Sequence, residues 1–225
     1  MEKKKAVIIV SGGIDSSTLI YKTIREGYET YALTFMYGQK HKREIESARR
    51  VCDTLNVAHR IIDISTLKEI LSGSALTDWE IEIPEVPETT KYYETLKTTI
   101  VPNRNSIFLS IAIGYAVSIG ANHVFFGAHH SDRGVYPDCR HEFVDAFQYA
   151  ERLANDNSLL VVSAPFVNMN KSEIIKMGIE LGVPYKETWS CYRGGEIHCG
   201  VCSSCRERKR AFQEAGIWDP TEYER

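Results

Sequence analysis

The sequence predicts an α/β protein, a doubly wound parallel sheet followed by a small cysteine-rich C-terminal segment. Three observations carry that expectation. Short β-branched runs alternate with amphipathic helical stretches over the first 64 residues, the first of those runs ends in a double glycine, and four of the six cysteines crowd into positions 191–205.

The elements follow in order. Residues 5–10 read as a buried strand, and 15–26 as a helix with Leu19, Ile20, Thr23 and Ile24 on one face. Residues 29–36 form a second strand, with Leu33 and Phe35 as apolar points, which completes a βαβ unit. A charged amphipathic helix over 44–55 and a third strand over 58–64 continue the alternation and imply a parallel sheet covered on both faces. Residues 65–101 break the rhythm with Gly73, Pro84 and Pro87 and read as an insertion lying over the C-terminal edge of the sheet. Beyond it come an apolar helix over 105–118, a buried strand over 121–127, a long polar loop, a helix over 142–154, a strand over 158–163 and a helix over 171–181 that Gly182 closes. A basic helix over 203–215 ends the pattern.

A chain of 225 residues can bury a full core without disulfides. Its formal net charge of -3 disfavours an extended nucleic-acid surface and suits a small anionic substrate. The five apolar residues at 6–10 are too few for a secretory segment, and no run is long enough for a bilayer, so the expectation is a cytoplasmic protein with neither nucleic-acid nor membrane partners.

The first strand runs into VSGGIDSS. Glycines let backbone N–H groups approach an anion without a Cβ in the way, and the helix beyond them adds unpaired donors and a positive dipole end, so the turn reads as a phosphate cradle. It is neither GxGxxG nor GxxxxGK[ST], which disfavours a dinucleotide site and a Walker-type site. It resembles the SGGxDS pyrophosphate loop of the ATP pyrophosphatases, which cut ATP between its α and β phosphates. That resemblance implies an adenine nucleotide hydrolase-like fold over residues 1–186, with ATP contacts from Val10, Ser11, Gly12, Gly13, Ile14, Asp15, Ser16, Ser17, Thr18, Leu19 and Ile20. Arg104 and Lys171 each stand at the start of a helix, where a cation weakens the dipole unless an anion is bound there, and phosphate is the natural anion.

Cys191, Cys199, Cys202 and Cys205 are spaced C-x7-C-x2-C-x2-C in the segment 187–225. Two-residue gaps let thiolates of one tight turn converge on a centre, and the spacing suits a structural zinc or a [4Fe–4S] cluster. Four thiolates close the coordination sphere, so His198 is expected beside the site or at the surface, and Cys52 is expected as a small buried residue.

The loop AHHSDRGVYPDCR is denser in polar function than a connection requires. Asp132 and Asp138 suit the N–H edge of a purine-like base, Tyr136 suits its face, and Arg140 or Arg133 suits a carboxylate. Cys139 beside His141 is a lesser candidate for a nucleophile, while His129 and His130 read as polar loop residues.

Taken together, SGGIDSS, PNRNSIFLS, YPDCR and SCYRG...HCGVCSSCRER resemble, over essentially the whole chain, the 7-cyano-7-deazaguanine synthases of queuosine and archaeosine precursor synthesis. The resemblance implies a homodimeric, zinc-containing enzyme that converts 7-carboxy-7-deazaguanine, ammonia and ATP to the 7-cyano product. It implies catalysis by Asp15, Ser16, Arg104 and Lys171, with Mg²⁺ bridging phosphates through Asp15, and a base anchored by Asp132, Tyr136, Asp138 and Arg140. The stretch from His129 to Val135 departs from the family pattern, and the roles of His129, His130 and Arg133 do not transfer. Within enzymes, the alternatives are a tRNA thiolase or an amide-forming ligase with the same loop. A non-catalytic zinc-ribbon module is the alternative of another class.

Overall fold

The computed structural model describes residues 3–85 and 96–224. Five strands, β1 (Lys5–Ile9), β2 (Glu29–Met36), β3 (Ala58–Asp63), β4 (His123–Phe125) and β5 (Val161–Ser163), form one parallel sheet in the order β3-β2-β1-β4-β5. Six helices accompany them among the described residues: α1 (Ile14–Arg25), α2 (Arg43–Thr54), α3 (Arg104–Ser118), α4 (His141–Ala154), α5 (Lys171–Leu181) and α6 (Ser203–Ala215).

The alternation of β1 splits the core into two layers, because successive strand side chains point to opposite faces. Ala6, Ile8 and Val10 join Leu19 and Ile20 of α1, Val51 of α2, Ile174 and Ile175 of α5 and Phe212 of α6. Val7 faces the other way, against Leu109 and Ile113 of α3, Val144 of α4 and Val162 of β5. The sheet is therefore buried on both sides, as its near-continuous apolar strands require. The C-terminal segment shares this core, since Ala211 and Phe212 pack in the first layer.

From β1 the chain winds outward through β2 and β3, then returns to the other side of β1 for β4 and β5. That reversal leaves a crevice beyond the C-terminal ends of β1 and β4, where open α/β sheets bind ligands. The described part of the 65–101 insertion borders this edge: Lys40 donates its backbone N–H to Leu76 O, and Ala75 and Ile83 pack against the cysteines. Residues 86–95 of that insertion lie outside the described residues.

Candidate functional site

The loop after β1 is pinned before it turns. Val10 donates its N–H to Leu33 O at 2.8 Å, and Thr34 Oγ1 donates to Val10 O at 2.6 Å. Gly12 then adopts φ +86°, and a Cβ there would lie 2.2 Å from the backbone oxygen of Glu44. Only glycine combines that φ with that approach. Gly12→Ala is therefore expected to destabilise the fold by about 2 kcal/mol or more, read as a fall in thermal midpoint of about 4–8 °C.

Gly13 caps α1 without a side-chain hydrogen bond, which leaves the first-turn amides to an anion. Ser11 and Ser16 close the cradle: Ser16 Oγ accepts the Ser11 N–H at 3.1 Å and lies 3.0 Å from Ser11 Oγ. Behind it, Gly127 at the end of β4 lets two backbones meet, since a Cβ there would stand 3.2 Å from Ser16 N.

Of the eleven loop residues expected at ATP, Val10, Ser11, Gly13, Ile14, Asp15 and Ser16 line a cleft of about 250 Å³. Ser17, Thr18, Leu19 and Ile20 are buried behind it. Thr18 Oγ1 donates to Ile14 O or pairs with Tyr185 Oη, each at 2.8 Å, bracing the first turn of α1.

Charge gathers at one end of the cleft. Lys171 Nζ lies 2.5 Å from Glu207 Oε2 and 3.4 Å from Asp15 Oδ2. Burial pulls the lysine pKa down, but Asp15, Glu207 and Asp132 outweigh it and hold the pKa above its ordinary value, so Lys171 stays an ammonium. Burial likewise favours neutral Glu207, and Lys171 and His129 overcome it to lower that pKa. Asp132 goes the other way: burial raises its pKa against the pull of His129 and Lys171. His129 is 2 % exposed, with Nε2 3.5 Å from Asp132 Oδ2 and 3.9 Å from both Asp15 Oδ2 and Glu207 Oε1. Its Nδ1 meets the Ser131 N–H, which turns Nε2 toward the carboxylates.

The other end is aromatic. Phe35 and Phe108 stack at 4.2 Å, Tyr37 leans on Phe108 at 5.4 Å, and Tyr136 and Tyr192 complete the walls. Arg104 reaches in with its guanidinium carbon 5.8 Å from the Tyr37 ring centre, and among the described residues no carboxylate lies within 4.0 Å of it. The cleft thus carries two cations in different states. Lys171 is surrounded by anions and Arg104 is available to one.

The YPDCR loop divides between cleft and scaffold. Asp132 and Tyr136 line the cleft, and Tyr136 Oη pairs with Thr99 Oγ1 at 3.0 Å. Asp138 Oδ2 instead accepts the Asn105 N–H at 3.2 Å, capping the start of α3. Arg140 is exposed and donates through Nε to Arg133 O. Neither Asp138 nor Arg140 lines the cleft. Cys139 is buried, and burial together with Asp132 and Asp138 pushes its thiol far above the range of a reactive thiolate. His141 bonds Asn168 Oδ1 rather than serving Cys139.

Cys191, Cys199, Cys202 and Cys205 are all buried, with their sulfurs within 4.8 Å of one another, a donor set that could bind zinc. Backbone amides already point at the sulfurs: Cys199 N–H at Cys191 Sγ and Cys202 N–H at Cys199 Sγ, both 3.4 Å. His198 is buried beside them, its Nε2 accepting the Ser190 N–H at 3.0 Å, so that nitrogen is engaged away from the cysteines. Cys52 is buried in the core. The segment also reaches the cleft, because Trp189 donates its backbone N–H to Gly12 O at 2.9 Å and Trp189, Ser190, Tyr192 and Glu207 line the walls. Glu207, Glu44 and Tyr192 line the cleft without being singled out by the sequence pattern, and His129 lines it although the sequence reads it as loop polarity.

The described helices are none of them long and apolar enough to cross a membrane. Two solved structures share the fold at low identity. They are NMN synthetase from Francisella tularensis (TM-score 0.54, 18% identity, 96% of this chain and 79% of that one) and a 4-thiouridine synthetase solved with RNA and bound ATP (TM-score 0.53, 19% identity, 95% and 50%). Sequence relatives are much nearer. The 7-cyano-7-deazaguanine synthase of Caldicellulosiruptor saccharolyticus is 48% identical over 222 residues, covering 98% of this chain and 96% of that protein. That of Archaeoglobus fulgidus is 53% identical over 216 residues, covering 96% and 89%. A family model described as queuosine biosynthesis protein QueC matches residues 5–216, and with these relatives it shows that the chain belongs to the QueC family.

Proposed function

We propose that the chain is an ATP-dependent ligase that converts 7-carboxy-7-deazaguanine and ammonia to 7-cyano-7-deazaguanine. The observation that carries this reading is the two-ended cleft: a glycine-serine cradle with Asp15 and Lys171 at one end, and a flat aromatic chamber with an available Arg104 at the other. Such a cleft seats a nucleotide's phosphates against a planar acid.

The chemistry follows from the acid's inertness. A carboxylate expels no leaving group at neutral pH, so its oxygen first attacks the α-phosphorus of ATP, giving the acyl adenylate and pyrophosphate. The departing charge is received by the amides of Gly13 and the first turn of α1, by Ser11 and Ser16, and by Lys171. Ammonia adds to the acyl carbon and AMP leaves with loss of one proton, which gives the amide. A second ATP activates the amide oxygen in the same way. Loss of AMP together with both amide protons then gives the nitrile. Each round releases AMP and pyrophosphate, and the ring stays in the aromatic chamber against Tyr136, while Asp138 holds the helix start that carries Arg104.

Among the described residues Asp15 Oδ1 is buried without a hydrogen-bond partner, a bare carboxylate oxygen that fits a divalent cation. Mg²⁺ held by Asp15 would neutralise phosphate charge during transfer. The four sulfurs suit one tetrahedral zinc per chain, since a Zn–S bond of about 2.3 Å sets sulfurs about 3.8 Å apart, and Cys199 Sγ and Cys205 Sγ are 3.9 Å apart. A cubane cluster would hold its thiolates at outer corners, farther apart. In this reading the enzyme is a cytoplasmic homodimer whose partners are its small substrates.

Mass spectrometry of the products from the acid, ATP and ammonium tests the reaction. The expected outcome is the nitrile with two AMP per turnover and the amide as a transient. Accumulation of amide as the final product would exclude nitrile synthesis and leave the adenylation reading intact, and ADP in place of AMP would exclude attack at the α-phosphorus.

A further inference from the structure

The aromatic end of the cleft contains one carboxylate that the phosphate end does not engage. Glu44 stands in the first turn of α2 and lines the cleft beside Tyr37 and Phe108. Its Oε1 accepts Gln39 Nε2 at 2.9 Å. Gln39 is itself fixed, since the same amide nitrogen donates to Phe35 O at 3.2 Å and its oxygen accepts the Tyr37 N–H at 2.8 Å. Glu44 is thereby aimed, and among the described residues no lysine, arginine or histidine nitrogen lies within 4.0 Å of it. Arg104 faces the same space and is felt electrostatically, without a contact pair.

A half-buried carboxylate among aromatic rings is costly unless it accepts hydrogen bonds, and the protein supplies it with one. The remaining acceptor positions point to a ligand that brings donors. Asp15, Asp132 and Glu207 are occupied with Lys171 and His129, and Asp138 caps α3. Among the described residues Glu44 is the cleft carboxylate left for a ring.

We propose that Glu44 reads the donor edge of the acceptor base, its carboxylate accepting the ring N–H and the adjacent exocyclic amine of a guanine-type ring. This deepens the proposed function and rests on its choice of substrate. The neighbouring edge of that ring carries an exocyclic oxygen beside the carboxylate to be activated, two acceptors side by side that match a guanidinium fork. Adjacent edges of one ring explain why Arg104 and Glu44 share a chamber without touching. The adenine of ATP fits Glu44 less well, because its corresponding edge pairs one donor with one acceptor, a pattern that an amide satisfies and a carboxylate does not.

The test uses the full chain and two ligands, 7-carboxy-7-deazaguanine and the same acid lacking the 2-amino group, titrated calorimetrically beside ATP. The wild type should bind the amino-free acid about 10- to 100-fold more weakly than the full one. Glu44→Gln should weaken the full acid by a similar factor and bring the two acids within about 3-fold of each other, with ATP affinity changed less than about 3-fold. An unchanged thermal midpoint in Glu44→Gln, or in Glu44→Asp if that variant folds better, separates recognition from folding. Full discrimination retained in the variant, or an equal loss for ATP and acid, overturns the assignment of Glu44. Failure of the wild type to bind either acid overturns the substrate reading instead.

Discussion

Emptying the four-cysteine site of the zinc proposed for it, by Cys202→Ser or by a strong chelator, is expected to disable the nucleotide loop as well as the C-terminal segment. Trp189, two residues before the first cysteine, holds Gly12 O through its backbone N–H, and its indole Nε1 donates to Cys191 O at 2.8 Å. Cys205 lies in the first turn of α6, and two residues further Glu207 fixes Lys171. Arg208, fully buried, donates to Thr188 Oγ1 at 2.8 Å and to Tyr185 O at 2.9 Å, and pairs with Asp219 at 3.2 Å, which ties the cysteine segment to the core. Each of these contacts assumes that the cysteines stay gathered. Structural zinc contributes about 10–16 kcal/mol in small domains, and a fraction of that exceeds what a marginally stable fold can lose. The expected result is a protein with less than about a tenth of an equivalent of zinc, at least about 100-fold lower kcat/KM and much weaker ATP binding, followed by metal analysis and Trp189 fluorescence. Undiminished ATP binding by the metal-free chain would show that the loop is held independently of the cysteines.

The sheet, its helices and the cradle were legible because each rests on local chemistry: β-branched runs for the strands, a double glycine before Asp15 and Ser16 for the loop, and two-residue cysteine gaps for the cluster. Residues that act through long-range placement were not. Glu207 and Arg208 belong to a helix that reads only as basic, yet the fold turns Arg208 inward to the Thr188 hydroxyl and the Tyr185 carbonyl and Glu207 onto Lys171. Glu44 lies on a helix whose charges read as an outer face, and it is the approach of Gly12 to the Glu44 carbonyl that draws this turn to the cleft. His129 looks like loop polarity until β4 and β5 are paired, when its bridge to Phe166 buries the ring against three carboxylates. The YPDCR loop shows the converse. Its density of polar groups marks the cleft, but Asp138 caps the start of α3 and Arg140 ties back to Arg133 O, a division that spacing does not encode.

Lys171→Met is expected to lower kcat by about 1,000-fold, the scale set by removing one preorganised charge from a transition state. It should also destabilise the fold, because Asp15, Glu207 and Asp132 then face one another in a pocket where Lys171 and Glu207 are only 13% and 18% exposed. Breaking a buried pair by deleting one partner costs about 3–5 kcal/mol; with some solvent access a loss of about 2–3 kcal/mol is reasonable, or about 4–12 °C in thermal midpoint. Adding Glu207→Gln removes one stranded charge, so the double variant should melt above Lys171→Met while remaining equally inactive. That split between stability and activity separates a cation acting on pyrophosphate from one that merely holds the fold. The pH profile has a defined sign. Lys171 and His129, overcoming burial, hold the Glu207 carboxyl below its ordinary value of 4.5, so the pair stabilises the protein above that pH and the contribution fades as pH falls through the lowered folded value. Lys171→Met should flatten this acid limb in urea-melt measurements between pH 5 and 3. A double variant no more stable than Lys171→Met would break the coupling, and retention of a tenth of wild-type kcat would remove Lys171 from the chemistry.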